Sequence, residues 1–252
     1  RAVDYLREGL ALLRSTGRLN EAARALNNLG TIHQRECNWE EAARRYRAAL
    51  DLYERLGCRT GAAPVILNLA EVNITRGHIE EGLSQAMRIV RNDAPRPHWY
   101  CYGLLRLAWG YSFLGDQDSA VDYCGKALGV AEECELKKLQ EAVLRRRGQI
   151  ERLRGDVVSA RDHLEGAFTI SREHGLHDRE VVCHFRLSEL HLSTGNMGAA
   201  VSQADQAGEK AQEIDVAGMW ALARWARGKV LLEQGRAEKA ILRVMAGGRQ
   251  YR

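Results

Sequence analysis

The sequence predicts an all-α fold, a right-handed α-solenoid of helix-turn-helix repeats, and three observations carry that prediction. A small residue recurs at a nearly fixed interval: Gly30, Ala70, Ala108, Gly148, Ser188 and Gly228 stand 40, 38, 40, 40 and 40 positions apart. Such a period marks stacked supersecondary units, none of which can bury its apolar face alone. A second small residue follows each at twelve positions: Ala42, Gly82, Ala120, Ala160, Ala200 and Ala240. Between the two columns, seven positions past the first, stand Gly77, Gly115, Gly155, Gly195 and Gly235, where glycine closes a helix in the left-handed conformation.

The elements follow in order. The chain opens inside an amphipathic helix, the lone second helix of a partial repeat over 1–20, so we expect a piece excised from a longer polypeptide. Full repeats are predicted over 21–60, 61–97, 98–138, 139–178 and 179–217, with a last one over 218–252. In each, a first helix carries the first small residue, a short turn follows, and a second helix carries the other. The column Ala49, Ile89, Ala127, Ala167 and Ala207 extends the buried stripe of the second helices at helical spacing. Arg147 and Arg227 stand where Leu29, Leu69, Leu107 and Leu187 stand elsewhere, and their aliphatic stems are expected along apolar surface with the heads in water. The segment NDAPRPHW (92–99) holds two of the three prolines and coincides with the 38-residue spacing. It is expected to kink the array or mark a joint, and otherwise 1–252 reads as a single domain.

Composition supports helix and narrows the function. With 45% hydrophobic residues, few aromatics and much Ala, Leu, Arg and Glu, the 252 residues can bury a core and favour helix throughout. A net charge of +4 is too modest to demand nucleic acid or an acidic membrane. No apolar run reaches membrane-spanning length and no signal pattern opens the chain. The six cysteines show no CxxC and no paired spacing, which suits a reducing cytoplasm and signals neither a disulfide framework nor zinc. Arginine outnumbers lysine 31 to 6, as a GC-rich bacterial coding sequence would give.

The stretch LNNLGTIHQRECNWEEAARRYRAALDLYERLG (26–57), with Leu29, Gly30, Ala42, Tyr46 and Ala49 in place, resembles the tetratricopeptide repeat family. Looser matches extend the resemblance over nearly the whole chain. The 40-residue period, longer than the usual 34 of that family, resembles kinesin light chains, spindle-orientation adaptors and the sensor arms of large bacterial transcription activators and kinases. The resemblance implies a superhelix whose inner face is lined by the first helices and serves recognition.

Catalytic and metal-binding constellations do not stand out. The sequence has no phosphate loop, no HExxH and no nucleophile elbow. His174 and His177 have metal-compatible spacing without further ligands nearby in sequence, and His184 and His191 read as buried structural residues. We expect no catalytic residue, no metal and no cofactor. Two residues before the small column stand Asn28, Asn68, Arg106, Arg146 and Arg186, a ladder of amides and guanidinium groups predicted to face the groove. Asparagine can satisfy both the N–H and the C=O of an extended peptide, and arginine clamps carboxylates. Arg145 is expected at the groove or its rim, and Arg147 toward the helix packing. Tyr102, Arg106, Trp109 and Phe113 fall at i, i+4, i+7 and i+11, one stripe of a helix, whereas Trp99 and Tyr111 are expected in the core.

The expected function is therefore non-catalytic binding of a protein or peptide segment, acidic in character, within a larger cytoplasmic signalling or transcription-regulatory protein. The alternatives are a small-molecule effector sensor with the aromatic stripe as pocket wall, and a scaffold that self-associates through exposed ends. Glu71, Glu141, Glu151 and Glu189 on the same helices argue against nucleic acid, and no membrane partner is expected.

Overall fold

The computed structural model describes residues 8–10, 12–13, 15–91 and 96–236, and all regular secondary structure among them is helical. Eleven helices are defined: α1 Leu19–Arg35, α2 Trp39–Arg55, α3 Arg59–Thr75, α4 Ile79–Val90, α5 Pro97–Phe113, α6 Gln117–Glu133, α7 Lys137–Arg154, α8 Val157–Glu173, α9 His177–Ser193, α10 Met197–Ile214 and α11 Ala217–Glu233. The chain divides into two compact units, 1–130 and 131–252, with the division inside α6. The predicted Ala240 lies outside the described residues, as do 1–7, 11 and 14 of the first partial repeat and 92–95 of the segment expected to kink. Its remainder opens α5, with Arg96 extended and Pro97 at the first helical position, where proline's fixed φ and missing N–H fit a helix start.

The turns follow one local rule. Gly77, Gly115, Gly155, Gly195 and Gly235 all have positive φ, and in the first full repeat Cys37 takes the same place with φ 57°. The next residue then caps the following helix: the side-chain oxygens of Asn38, Asp116, Asp156 and Asn196 accept from the backbone N–H three positions on. In these four turns a left-handed residue followed by Asn or Asp thus ends one helix and starts the next with one of its free N–H groups satisfied, whereas His78 after Gly77 makes no such bond.

The small columns set how closely the paired helices approach. All six residues of the first column are buried. At Gly30 the α-carbon faces the fully buried ring of Tyr46 on α2, and a Cβ there would stand 2.5 Å from Cε1. At Gly148 the neighbours of such an atom would be Leu164 Cγ at 2.7 Å and the Ala160 carbonyl at 3.0 Å, both on α8. Ser188 donates its hydroxyl to the Ala200 carbonyl at 2.9 Å, so one small polar residue is satisfied across the same seam.

One turn further along the first helix, a matched pair spans three of the seams at a separation of twelve residues. Asn73 Nδ2 donates to Gln85 Oε1 at 3.1 Å, the rings of Tyr111 and Tyr123 stack with centroids 5.4 Å apart, and Glu151 Oε2 meets His163 Nδ1 at 2.7 Å. The position is identical in each pair and the chemistry differs. Tyr111 is half-buried in a stack against the cluster of Ala70, Ala86 and Leu107, and Trp99 is half-buried against the core of the first unit; both pack on the core, where they were expected, with part of each residue open.

Each unit has its own apolar interior. In the first, Leu26, Leu29, Tyr46, Ala49, Val65 and Leu69 pack together. In the second, small clusters such as Ala160, Leu164, Leu187 and Leu190 fill the seams. The column Ala49, Ile89, Ala127, Ala167 and Ala207 is buried throughout. Arg147 and Arg227, in the leucine column, keep partly exposed heads on Glu151 and Asp205.

Two substitutions test this account in opposite directions. Gly30→Ala drives a methyl into Tyr46 and should destabilise by about 1–3 kcal/mol, the scale for overpacking. Cys37→Gly relieves a left-handed non-glycine residue and should stabilise by up to about 1 kcal/mol. Urea denaturation of both variants reads the two shifts.

Candidate functional site

In the first unit, α1 touches α3 and α3 touches α5, so the first helices of successive repeats line one face. Hydrogen bonds run along it from repeat to repeat. Asn68 Nδ2 donates to Asn27 Oδ1 at 3.1 Å; Arg106 donates to Glu71 Oε2 at 2.5 Å and to the Leu67 carbonyl at 3.4 Å. Arg106 is held by its neighbouring repeat with only 15% of its side chain exposed. Asn28 is exposed.

Asn28 lines a cleft of about 430 Å³ with Asn20, Arg24, Asn27, Thr60 and Arg96 among its walls. Pro64 forms part of the same wall, inside α3. Lacking an N–H, it leaves the Thr60 carbonyl without its helical donor. Amide donors and acceptors, two guanidinium groups and a backbone acceptor therefore meet in one place. These are the groups that an extended main chain with carboxylate side chains requires.

The aromatic stripe on α5 divides in two. Tyr102 packs with Trp99, ring centroids 6.3 Å apart, against the core of the first unit. Trp109 and Phe113 meet edge to face at 4.5 Å, and Phe113 is 51% exposed.

In the second unit, α7 touches α9 and α9 touches α11. Arg145 Nε donates to Glu141 Oε1 at 2.7 Å, and Glu141, fully buried, also takes Arg179 at 3.1 Å. Arg146 Nη1 donates to Gln149 at 3.3 Å. Arg147 lies at the α7–α8 seam on Glu151, which His163 of α8 shares. The three consecutive arginines thus have separate partners, two of them nearly buried carboxylates. Arg186 pairs with Glu189 at 2.6 Å and lies over the Phe185 ring, while Lys229 binds the other oxygen of Glu189.

Lys229 and the neighbouring Trp225 were not singled out from the sequence. The ladder column reaches Ala226 in the last repeat and so loses its polar character there. The preceding column, Asn27, Leu67, Leu105, Arg145, Phe185 and Trp225, held the signal in its turn from amide to aromatic.

The histidines are placed by packing. His184 is buried, donates from Nδ1 to Gln203 Oε1 at 2.8 Å, and lies against Phe168. His177 pairs with Glu180 at 2.8 Å and His174 is exposed. Among the described residues, no group of three His, Cys, Asp or Glu side chains is arranged to hold a metal, and no helix is long and apolar enough to cross a membrane.

Residues 21–93, spanning α1 to α4, match the family model described as tetratricopeptide repeat. These residues carry tetratricopeptide repeats. The fold of the chain is also that of several solved structures. A Rap conjugation gene regulator of plasmid pLS20, in complex with a peptide, is similar over 92% of this chain and 64% of its own, with TM-score 0.76 and 13% identity. A tetratricopeptide repeat protein from Parabacteroides merdae is similar over 100% and 94%, with TM-score 0.64 and 18% identity. A signal transduction ATPase with a tetratricopeptide repeat sensor, from Pyrococcus horikoshii, is similar over 92% of this chain and 36% of its own, with TM-score 0.53 and 16% identity. At these identities the likeness is one of fold. No curated protein matches the sequence.

The buried groups give the second unit a pH dependence with a definite sign. Burial pushes the pKa of His184 below its usual 6.5, against the opposing effect of the hydrogen bond it donates to Gln203. A depressed histidine contributes stability that is complete above its unfolded pKa and is lost as pH falls below it. Burial alone would raise Glu189, but Arg186 and Lys229 outweigh it and its pKa is lowered; its contribution is lost only below the usual carboxylate range. Between pH 7.5 and 5.5 the change therefore belongs to histidine. His184→Gln, which keeps a partner for Gln203, should shrink the drop in urea midpoint across that interval.

Proposed function

We propose that this repeat region is a recognition module that binds a protein or peptide segment along the first-helix faces, within a larger cytoplasmic signalling or transcription-regulatory protein. The observation that carries this reading is the cleft at Asn28. Asn20, Asn27, Asn28, Thr60, Arg24 and Arg96 line it together with a carbonyl freed by Pro64, and their chemistry suits an extended main chain bearing acidic side chains. The peptide-bound Rap regulator and the ATPase with a repeat sensor share the fold and support the same direction.

The ladder residues divide by role in this reading. Asn28 contacts the ligand directly. Arg106, clamped by Glu71 and the Leu67 carbonyl, holds the helices in register and presents a balanced pair. In the second unit the ladder positions are Arg146 and Arg186, with Arg145 beside them at the groove or its rim. A second reading, a small-molecule effector site, is favoured by the exposed Phe113 against Trp109, an aromatic corner of the kind that anchors hot spots.

Selection of random dodecapeptides against the immobilised protein tests the proposal. Peptides should be recovered that bind the wild type, with acidic residues over-represented. Asn28→Ala should weaken them by roughly tenfold, about the worth of one to two buried hydrogen bonds, with the thermal transition unchanged. Trp109→Ala should cost at least about 2 kcal/mol if the aromatic corner is a hot spot. If the enriched peptides are indifferent to Asn28→Ala, the cleft is not the site.

A further inference from the structure

We infer that the cleft between α10 and α11 is a small-molecule site, and that its ligand is a free amino acid with an aromatic side chain. The cleft shares no residue with the polar ladder or with the cleft at Asn28, so the inference stands apart from the reading of the first-helix faces.

The cleft arises where the repeat pattern lapses. The column next to the buried stripe of the second helices reads Leu50, Val90, Leu128, Phe168 and Gly208. The first four are half-buried, and Phe168 packs on His184 of the following first helix with ring centroids 4.7 Å apart. The column of His184 is apolar in earlier repeats, Leu26, Ile66, Leu104 and Leu144, and becomes Arg224 in the last. One repeat after the Phe168–His184 contact, the same two positions are therefore Gly208 and Arg224, and the leucine column supplies Arg227 beside them. An apolar ring is withdrawn from the seam and two guanidinium groups are brought to it. The result is a cleft of about 400 Å³, large enough for a small ligand. A Cβ on Gly208 would meet nothing within 4 Å.

The two walls differ in sign. Asp205, Glu209 and Gln212 line the cleft from α10, and Trp220, Arg224 and Arg227 from α11. Nη1 of Arg227 is buried, stands 3.3 Å from Asp205 Oδ1 and hydrogen-bonds no described residue. Among the described residues, Glu209 has neither an ion pair nor a hydrogen bond. Trp220 is half-buried, with the Arg224 guanidinium 5.6 Å from its ring centroid. Two carboxylates thus face two guanidinium groups across an indole, with no net charge between them. A phosphate ester would bring its negative charges against Asp205 and Glu209. A simple cation would meet Arg224 and Arg227, and an uncharged apolar molecule would desolvate Glu209 and Arg227 without giving either a partner. A zwitterion answers both signs: its ammonium donates to Glu209 and its carboxylate accepts from Arg227. An aromatic side chain on that zwitterion occupies the space that Phe168 fills one repeat earlier, against the indole of Trp220.

Isothermal titration calorimetry on the intact chain separates these cases with four probes: L-phenylalanine, phenethylamine, 3-phenylpropionate and adenosine monophosphate. Phenylalanine should bind at least roughly tenfold more tightly than each of the others, since every one of them lacks a charge-assisted partner or adds a repelled one. Gly208→Phe, which restores the ring of the preceding repeat, should abolish binding while the thermal midpoint holds or rises, because a glycine leaves a helix interior. Glu209→Gln, a change at an exposed position, should remove the preference for phenylalanine over phenylpropionate and keep the preference over phenethylamine. Should Gly208→Phe not fold, Glu209→Gln decides alone. Equal binding of phenylalanine and its two analogues, or no binding of phenylalanine, overturns the inference. Phenylalanine binding that survives Glu209→Gln with its preferences intact, or that survives a folded Gly208→Phe, places the amino acid elsewhere and overturns it too. Tighter binding of adenosine monophosphate assigns the cleft to a phosphorylated ligand, which is likewise fatal to the amino-acid assignment.

Discussion

The structure depends on how closely two helices can approach where one contributes almost no side chain. Gly30 against Tyr46, Gly148 against Leu164 and the Ala160 carbonyl, and Ser188 on the Ala200 carbonyl are three chemical solutions to one steric requirement. Because the approach is fixed at that point, the relative rotation of the helices in a pair is fixed too. The residues two positions earlier then fall on the opposite side of the first helix, facing the first helices of adjacent repeats. The polar ladder is a consequence of the seam.

That arrangement explains why charged residues crowd helices whose other faces are buried. Glu71 reaches Arg106 from 35 positions away, Glu141 reaches Arg179 from 38, and Glu189 reaches Lys229 from 40. Each pair joins the first helices of neighbouring repeats, and each holds one repeat against the next with a directional contact. Exposed ion pairs contribute little, but Glu141 is fully buried and Glu189 has 10% of its side chain exposed, and removing one partner from such a pair strands a desolvated charge. The same residues thus bind repeat to repeat and set the electrostatic character of the face.

The period, the turn and the seam could be read from the sequence because each rests on a residue type with one physical meaning: no side chain, or a backbone free to turn left-handed. Cys37 escaped the glycine column, since a thiol in that conformation carries no signal of its own. The ladder was legible as a column, yet the partners of its arginines were not. Glu71 and Glu189 look like solvated charges until the repeats are stacked, because the contact that defines them spans a whole repeat. Trp99 and Tyr111 were read as core because aromatics at helical spacing usually are. Both do pack on core clusters, but only half-buried, and the stack of Tyr111 on Tyr123, twelve residues on, could not be read from helical spacing alone.

The twelve-residue pairs, Asn73 with Gln85, Tyr111 with Tyr123 and Glu151 with His163, bear on how such an array can be rearranged. Each is a private match, so a first helix transplanted beside the second helix of another repeat would meet an amide with a phenol or a carboxylate with an amide. Genetic exchange that cuts between the helices of a pair would scramble these matches, whereas exchange at the turns between pairs would carry each match along intact. Duplication, deletion and recombination in this chain are thereby steered toward whole repeats, and an engineer shortening or lengthening it should cut at the same boundaries.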